Sequence, residues 1–143
     1  MENLKDILFY SLEKSIKAYR QFAQQELVKH DFNITIDQWL VLKTLHDNPQ
    51  QTQQQVAIAV FKDYASVTRI IDLLVKKKYL IRTIHADDRR RFNLALTEDA
   101  VKLLAKMQPV INKNRTTALR DISEQQATEL KQLLNTIIKN CQA

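Results

Sequence analysis

The sequence predicts a mainly α-helical fold that contains one small β-hairpin. Apolar residues recur at steps of three and four along most of the 143 residues, as they do in helices that bury one face. Between residues 79 and 96 the period changes to two, among β-branched and aromatic side chains, which is typical of two strands. With 45% hydrophobic and 27% charged residues, the composition is that of one compact domain.

The first predicted helix spans residues 4–30 and ends at residues 31–33. Its apolar positions lie on one face: Leu4, Leu8, Leu12, Ile16, Tyr19, Ala23 and Leu27. The second helix begins at Thr35, because the Thr35 hydroxyl and the Gln38 side chain can form a capping box. Pro49 ends it.

A third, short helix opens with the capping pair Thr52 and Gln55, and Asp63 caps a fourth. Two helices joined by so tight a connection, followed by a hairpin, predict a winged helix-turn-helix. The inner face of the fourth helix carries Val67, Ile70, Ile71 and Leu74. Its outward face carries Tyr64, Ala65, Ser66, Thr68, Arg69 and Asp72.

Short residues, hydroxyls and one arginine suit a helix that enters the major groove of DNA, where Arg69 could bind a guanine edge. By itself the same pattern also fits the solvated face of an ordinary amphipathic helix. The hairpin decides between these interpretations, because its tip carries three adjacent arginines. Adjacent guanidiniums repel one another, whereas a narrow minor groove attracts arginine.

The hairpin consists of strands at residues 79–85 and 92–96 around a polar tip at residues 86–91. We expect Asp88 to pair with one tip arginine and hold the tip in shape, although a solubilising turn is the alternative. Four further cations are expected beside the same surface, in contact with phosphates: Lys76, Lys77, Lys78 and Arg82.

Thr97 begins the next helix, in which Pro109 predicts a kink or a split near Met107. Ser123 and Gln126 cap a last helix. Its apolar seam consists of Ala127, Leu130, Leu134, Ile137 and Cys141.

Glycine is absent from the sequence, although average usage of about 7% would supply roughly ten residues. Walker A loops, dinucleotide fingerprints and G-x-S-x-G elbows all need glycine where the backbone turns sharply or approaches a phosphate. The histidines His30, His46 and His85 lie in different predicted elements, without metal-ligand spacing. We therefore predict no enzymatic activity, no metal and no cofactor, and no cofactor-binding residue can be assigned.

The net charge of +6 predicts an anionic partner, which charge alone leaves open between nucleic acid, a membrane and an acidic protein. Residues 62–91 contribute nine basic and four acidic side chains, a net +5. The N-terminus lacks a signal-peptide pattern, no run approaches about 20 apolar residues, and the single cysteine cannot form an internal disulfide. These features predict a cytoplasmic protein without a membrane partner.

Taken together, these segments resemble the MarR (multiple antibiotic resistance regulator) family of winged-helix transcription factors over essentially the whole chain. The resemblance rests on residues 35–42, on residues 52–57, on residues 66–72 with Leu74, and on Asp88-Arg89-Arg90 leading to Leu96-Thr97. It implies a single domain over residues 1–143, with a DNA-binding lobe at 35–97 and helical dimerisation regions at 1–30 and 98–143.

The resemblance further implies a homodimer that binds a pseudo-palindromic DNA operator, acting as a ligand-responsive repressor. Many relatives release DNA when a small anionic or phenolic compound binds between the dimer helices and the winged lobe. In this sequence Tyr19, Phe22, Trp39 and Leu42 fit either such a cavity or ordinary core packing. A subset of the family senses peroxide through a cysteine near the N-terminus, which this chain lacks.

The family's Thr-Arg pair falls on Thr68 and Arg69, and its wing Asp and Arg fall on Asp88 and Arg90. The predicted DNA-binding residues are Thr52, Gln53, Tyr64, Ala65, Ser66, Thr68, Arg69, Lys76, Lys77, Asp88, Arg89, Arg90 and Arg91.

Lys78 and Arg91 stand where relatives commonly have glycine, so Lys78 is expected either in a left-handed conformation, at a cost of about 1 kcal/mol, or at an altered helix end. Two alternative functions stay open: a winged-helix module that binds an acidic protein, and a thiol-based sensor that uses Cys141.

Overall fold

The computed structural model describes residues 1–142, and within them it contains six α-helices and one β-hairpin. The elements are α1 (Leu8–Lys29), α2 (Ile36–Asp47), α3 (Gln53–Ala59), α4 (Tyr64–Lys76), β1 (Leu80–Ile84), β2 (Phe92–Leu96), α5 (Glu98–Ala118) and α6 (Glu124–Cys141). This order confirms the predicted fold class, a winged helix-turn-helix between N- and C-terminal helices. No helix in the described part is long and apolar enough to cross a membrane.

Local capping interactions fix most of the helix starts. The predicted capping boxes are present at Thr35, Thr52 and Ser123, where each hydroxyl accepts a backbone N–H while a glutamine side chain accepts in return. Asp63 and Thr97 cap α4 and α5, each by accepting the backbone N–H of the residue three positions later. Since these bonds join residues three apart, the sequence alone can predict them.

The hydrophobic core lies between α2, α3, α4, the hairpin and α5. Its fully buried large side chains are Val41, Leu42, Leu45, Val56, Val67, Ile71, Leu74, Leu80 and Met107. The strands pair antiparallel, with Leu80 opposite Leu96 and Ile84 opposite Phe92. The core thereby fixes the base of the hairpin against α4 and α5.

Two predicted boundaries are wrong. The first α-helix begins at Leu8 rather than Leu4, because Ile7 is extended and residues Leu4–Asp6 form a separate 3₁₀ turn. Leu4 and Leu8 are exposed, so no packing in the chain holds this segment to the helical period. The alternative of a split at Pro109 is also wrong: α5 is continuous, and its buried residues Met107 and Ile111 hold both sides of the proline against the core.

Four helices end in residues with a left-handed backbone: Asp31, Phe61, Lys78 and Asp121, with φ between 60° and 66°. The Lys78 conformation confirms the first of the two outcomes expected for a missing glycine. There the Tyr79 N–H bonds to the Leu74 carbonyl at 2.9 Å and closes the end of α4. A side chain in this conformation costs about 1–2 kcal/mol, which glycine would avoid. Arg91 is not among the residues with a positive φ.

The N-terminal half of α1 and the whole of α6 expose a broad apolar surface. No residue of α6 within the described range is buried, and α1 buries only Ala23 and Leu27 near its C-terminal end. The large exposed apolar side chains on these helices are Leu8, Phe9, Tyr10, Ile16, Val28, Leu130, Leu133 and Ile138. Both predicted seams are therefore present, and a single chain covers only part of each: Ala23 and Leu27 are buried, Leu134 and Ile137 are half-buried, and Leu8 and Leu130 are exposed.

Candidate nucleic-acid interface

The outer face of α4 carries a row of exposed side chains. Successive residues of a helix are rotated by about 100°, so Ala65, Arg69, Asp72 and Lys76 line up along this face. All four are exposed, as is Tyr64 in the first turn. Ser66 and Thr68 are half-buried on either side of this row, so the predicted site residues on α4 differ in accessibility.

Asp63 organises the start of this face. Its carboxylate accepts hydrogen bonds from the Ser66 backbone N–H at 2.7 Å and from the Ser66 hydroxyl at 3.0 Å. These bonds hold the pKa of Asp63 below its ordinary value, so the carboxylate stays charged at neutral pH and the cap is lost only in acid. An Arg69 Nη atom donates to the Ser66 hydroxyl at 3.3 Å, which directs the guanidinium back along the helix.

Gln53 joins α3 to α4 from inside the lobe. Its side chain is only 4% exposed, and its Nε2 donates to the Thr68 hydroxyl at 2.6 Å. The Thr68 hydroxyl in turn donates to the Tyr64 carbonyl at 2.9 Å. The structure therefore places Gln53 behind the surface that Thr68 and Tyr64 present.

The tip of the hairpin is shaped by Asp88, as expected. The Asp88 carboxylate accepts the Arg90 backbone N–H at 3.0 Å and lies 3.9 Å from the Arg90 Nε. The Asp88 carbonyl accepts the Arg91 N–H at 3.0 Å. The tip closes where the backbone N–H of His85 donates to the Arg91 carbonyl at 2.9 Å. The Arg90 side chain nevertheless remains 96% exposed, and Arg89 and Arg91 are exposed as well.

A cleft of about 230 Å³ connects the hairpin with the helix-turn-helix. It is lined by Thr52, Gln53, Gln54, Tyr64, Arg90, Arg91 and Phe92. The fold thus brings the start of α3, the start of α4 and two tip arginines to one place, although they lie up to 39 positions apart in sequence. Gln54 and Phe92 also line this cleft, and their side chains carry no sequence signal that distinguishes them from surface and strand residues.

The four cations predicted beside this surface do not act as one group. The Lys77 ammonium donates to the Asn33 carbonyl and, at 3.2 Å, to the Gln38 Oε1. Arg82 forms a 2.6 Å ion pair with Asp72 and lies 5.2 Å from the centre of the Phe92 ring. Lys77 therefore connects the end of α4 to Asn33 and to α2. Arg82 connects the hairpin to α4.

This division predicts different effects for two adjacent lysines. Lys77→Ala is expected to lower the free energy of unfolding by about 1 kcal/mol, because it removes the contacts to Asn33 and Gln38. Lys76→Ala, on the exposed face of α4, is expected to leave stability unchanged and to reduce the salt dependence of DNA binding by about one counterion. Urea unfolding and binding to duplex DNA at several salt concentrations measure both effects, and the reverse pattern would contradict these positions.

A second cavity, of about 430 Å³, lies between α1, α2 and α5. Its lining residues are Ile16, Tyr19, Arg20, Ala23, Leu27, Ile36, Trp39, Leu40, Phe61, Met107, Ile111, Asn114 and Arg115. Tyr19 and Trp39 line it, whereas Phe22 and Leu42 do not. Three polar residues of the wall were missed from the sequence: Arg20, Asn114 and Arg115. Asn114, at 3% exposure, lies on the inward face of α5 three positions after Ile111. This helical spacing could have predicted that Asn114 is part of the wall.

A chain of charges connects this cavity to the start of α4. Arg20 on α1 forms a 2.5 Å ion pair with Asp37 on α2, and Lys62 lies 3.4 Å from the other Asp37 oxygen. Lys62 immediately precedes Asp63, the cap of α4. Helices α1 and α2 and the connection between α3 and α4 thus meet at one carboxylate beside the cavity.

The remaining reactive side chains form no cluster. Within residues 1–142 no three His, Cys, Asp or Glu side chains lie together so that they could hold a metal ion. Cys141 is a free, exposed thiol on α6.

Comparison with known proteins finds a match to one family model and to solved structures with this fold. Residues 34–92 match the model of the MarR family. A DNA complex of MepR from S. aureus is 26% identical, with a TM-score of 0.83 over 94% of this chain and 98% of that one.

Two further structures share the fold at lower identity. BpsR from Bordetella bronchiseptica, whose DNA binding is regulated by 6-hydroxynicotinic acid, is 22% identical, with a TM-score of 0.86 and 96% of each chain covered. Wild-type MarR from E. coli, in its apo form, is 20% identical, with a TM-score of 0.76 over 92% of this chain and 96% of that one.

Proposed function

Because the chain carries a MarR-family domain over residues 34–92, we propose that it is a transcriptional regulator that binds double-stranded DNA in a sequence-specific manner as a homodimer. The observation that carries this proposal is the cleft in which Arg90 and Arg91 of the hairpin meet the start of α4. An exposed helix face beside exposed arginines suits adjoining major and minor grooves. We assign the protein a binding role without a catalytic step, and place it in the cytoplasm with the DNA that it regulates.

In this proposal α4 enters the major groove and the hairpin tip enters the flanking minor groove. Arg69 contacts base edges, and Lys76 contacts phosphate. Asp88 keeps the tip in shape, while Gln53 and Lys77 act within the protein. The proposed surface consists of Thr52, Tyr64, Ala65, Ser66, Thr68, Arg69, Lys76, Arg89, Arg90 and Arg91.

The exposed faces of α1 and α6 supply the homodimer interface. A dimer with two-fold symmetry presents two copies of α4, and B-DNA repeats its major groove on one side about every 34–36 Å. Only a dimer that holds its recognition helices near this spacing can bind both half-sites. A change in the spacing of a few ångströms therefore releases the DNA.

The cavity between α1, α2 and α5 is the proposed effector site. Its wall combines the aromatic rings of Tyr19 and Trp39 with the cations Arg20 and Arg115, and its lining includes no acidic residue. Such a wall suits a small aromatic anion, the chemical class to which the BpsR ligand 6-hydroxynicotinic acid belongs. A ligand carboxylate that binds Arg20 competes with Asp37, and the loss of that pair leaves Lys62, next to the cap of α4, as the remaining cation at Asp37.

Selection of binding sites from a pool of random duplexes tests the proposed function. We expect enrichment of one dyad-symmetric site, bound with strong salt dependence because several phosphates are neutralised. A module that uses the basic surface for an acidic protein would enrich no sequence. A thiol-based sensor would lose its response to peroxide in the variant Cys141→Ser, whereas we expect this variant to behave like the unmodified chain.

Effector binding is expected to be reciprocal with DNA binding. If 6-hydroxynicotinic acid weakens binding to the selected duplex by a given factor, the duplex must weaken binding of the acid by the same factor. Calorimetric titration of the acid into the protein, with and without the duplex, measures this factor. Arg115→Gln should weaken binding of the acid while leaving DNA binding intact, and equal affinity for the acid in both titrations would contradict the coupling.

A further inference from the structure

The hydroxyl of Thr68 has almost all of its hydrogen-bonding capacity occupied within the protein. A threonine hydroxyl has one hydrogen to donate and two lone pairs to accept with. Its hydrogen is directed to the Tyr64 carbonyl at 2.9 Å, and one lone pair accepts the Gln53 Nε2–H at 2.6 Å. What remains for a ligand is a single lone pair beside the methyl group.

We infer that Thr68 contacts DNA only as a hydrogen-bond acceptor, because the Tyr64 carbonyl holds its hydrogen while Gln53 occupies one of its two lone pairs. The inference rests on the proposed function and deepens it, since it assigns the chemistry of one base contact. Thr68 is half-buried on α4 next to Arg69, and its hydrogen-bond partners Gln53 and Tyr64 line the hairpin cleft.

Gln53 supports this assignment through its own unusual position. Its side chain is buried, yet its Oε1 has no hydrogen-bond partner among the described residues. A buried acceptor without a partner is unfavourable, so an apolar residue would stabilise the lobe better at this place. The opposite orientation of the amide would place Oε1 against the Thr68 hydroxyl and require the one hydrogen that the Tyr64 carbonyl already accepts.

The major groove distinguishes bases by the same property. Adenine and cytosine present exocyclic amino groups there, which donate, whereas guanine O6 and N7 and thymine O4 accept. A hydroxyl that can only accept therefore pairs with an adenine or a cytosine amino group and disfavours the oxygen of guanine or thymine. The adjacent Arg69 can only donate, so the two residues impose opposite requirements on neighbouring bases.

Base analogues in the selected duplex test the contact atom by atom. Each adenine of a half-site is replaced in turn by purine, which lacks the 6-amino group, and each cytosine by pyrimidin-2-one, which lacks the 4-amino group. At one position we expect the unmodified protein to lose about tenfold in affinity and the isosteric variant Thr68→Val to lose nothing. If that base is a purine, its 7-deaza analogue should bind the unmodified protein as well as the natural base does.

Three outcomes would overturn the assignment. If no site is enriched from random duplexes, the proposed function fails and this inference fails with it. If a site is enriched but every amino deletion weakens the unmodified protein and Thr68→Val equally, only the inference fails. A loss on a 7-deaza purine that Thr68→Val does not share would show that the hydroxyl donates.

The variant Gln53→Met tests whether the Tyr64 carbonyl alone holds the hydroxyl hydrogen, because it keeps the length and burial of the side chain and removes the N–H donor. The loss of this N–H frees a lone pair and not the hydrogen, so the penalty of the amino deletion should stay near tenfold. A fall below about threefold would show that the hydroxyl rotates to donate, and would overturn the assignment.

The matched control is Gln50→Met at an exposed position outside the lining of the cleft, which should preserve the ratio. Circular dichroism and cooperative unfolding establish that each variant folds. If Gln53→Met fails to fold, the comparison of the unmodified protein with Thr68→Val still decides whether the hydroxyl accepts.

Discussion

A chain that carries Leu130→Glu and Leu133→Glu is expected to be monomeric and to bind its selected duplex about 10²- to 10⁴-fold more weakly than the unmodified dimer. Both leucines are exposed in the single chain, Leu133 to 62%, and α6 has no buried residue in the described range. Burying one such side chain in a dimer contributes about 1.5–3 kcal/mol, whereas burying an unpaired carboxylate is strongly unfavourable. The dimer therefore loses stability while the lobe around Val41 and Ile71 keeps its core.

The control for this prediction is Gln132→Glu, which adds a negative charge on the opposite face of α6. Sedimentation equilibrium gives the oligomeric state of each variant, and a gel shift at a stated salt concentration gives the affinity. A double variant that still sedimented as a dimer would show that α6 is not part of the interface. A monomer that bound the complete dyad as tightly as the dimer would contradict the requirement for two spaced recognition helices.

Interactions between residues close in sequence could be predicted from the sequence. The capping boxes at Thr35, Thr52 and Ser123 join residues three apart, and the hairpin pairs strands separated by a short tip. The apolar seam of α6 is visible as a pattern although the single chain buries none of it. The helical period of the apolar residues therefore predicts an apolar face, but it does not distinguish a face that packs within the same chain from one that packs against a second copy.

Interactions between distant residues could not be predicted in this way. Lys77 resembles any lysine in a basic run, and only the fold brings Asn33 within reach of its ammonium. Gln53 resembles the other glutamines around it, and only the packing of α3 on α4 buries it against Thr68. Two neighbouring lysines at the end of a helix point about 100° apart, so a run of like charges does not define one surface.

The chain also shows how a sequence without glycine forms the turns that this fold requires. Asp31, Phe61, Lys78 and Asp121 adopt left-handed conformations at helix ends. At Lys78 the cost is offset by the hydrogen bond from the Tyr79 N–H to the Leu74 carbonyl, and the lysine places a cation at the end of α4. Part of the positive charge of residues 62–91 thus comes from Lys78, at a helix end where glycine would avoid the conformational cost.

The second large effect is expected from Arg69, the residue proposed to contact base edges. Arg69→Ala is expected to weaken binding to the selected duplex by about 1–3 kcal/mol and to relax the base preference at one position of each half-site. A guanidinium can bind guanine O6 and N7 through two parallel hydrogen bonds, and the bond to Ser66 holds Arg69 in place for this contact. Binding to random duplex should fall much less, because only one positive charge is lost.

The variant Arg69→Lys distinguishes the effect of guanidinium geometry on DNA binding from the effect of the positive charge. The lysine keeps the positive charge, and therefore the salt dependence, but it cannot form the two parallel bonds. We expect it to bind random duplex like the unmodified protein and to discriminate among bases almost as poorly as Arg69→Ala. Competition between the selected and a random duplex at constant salt gives the ratio directly. If both variants lose affinity equally on the two duplexes, Arg69 contacts the phosphate backbone, and sequence must be read by the hairpin tip or by other residues of α4.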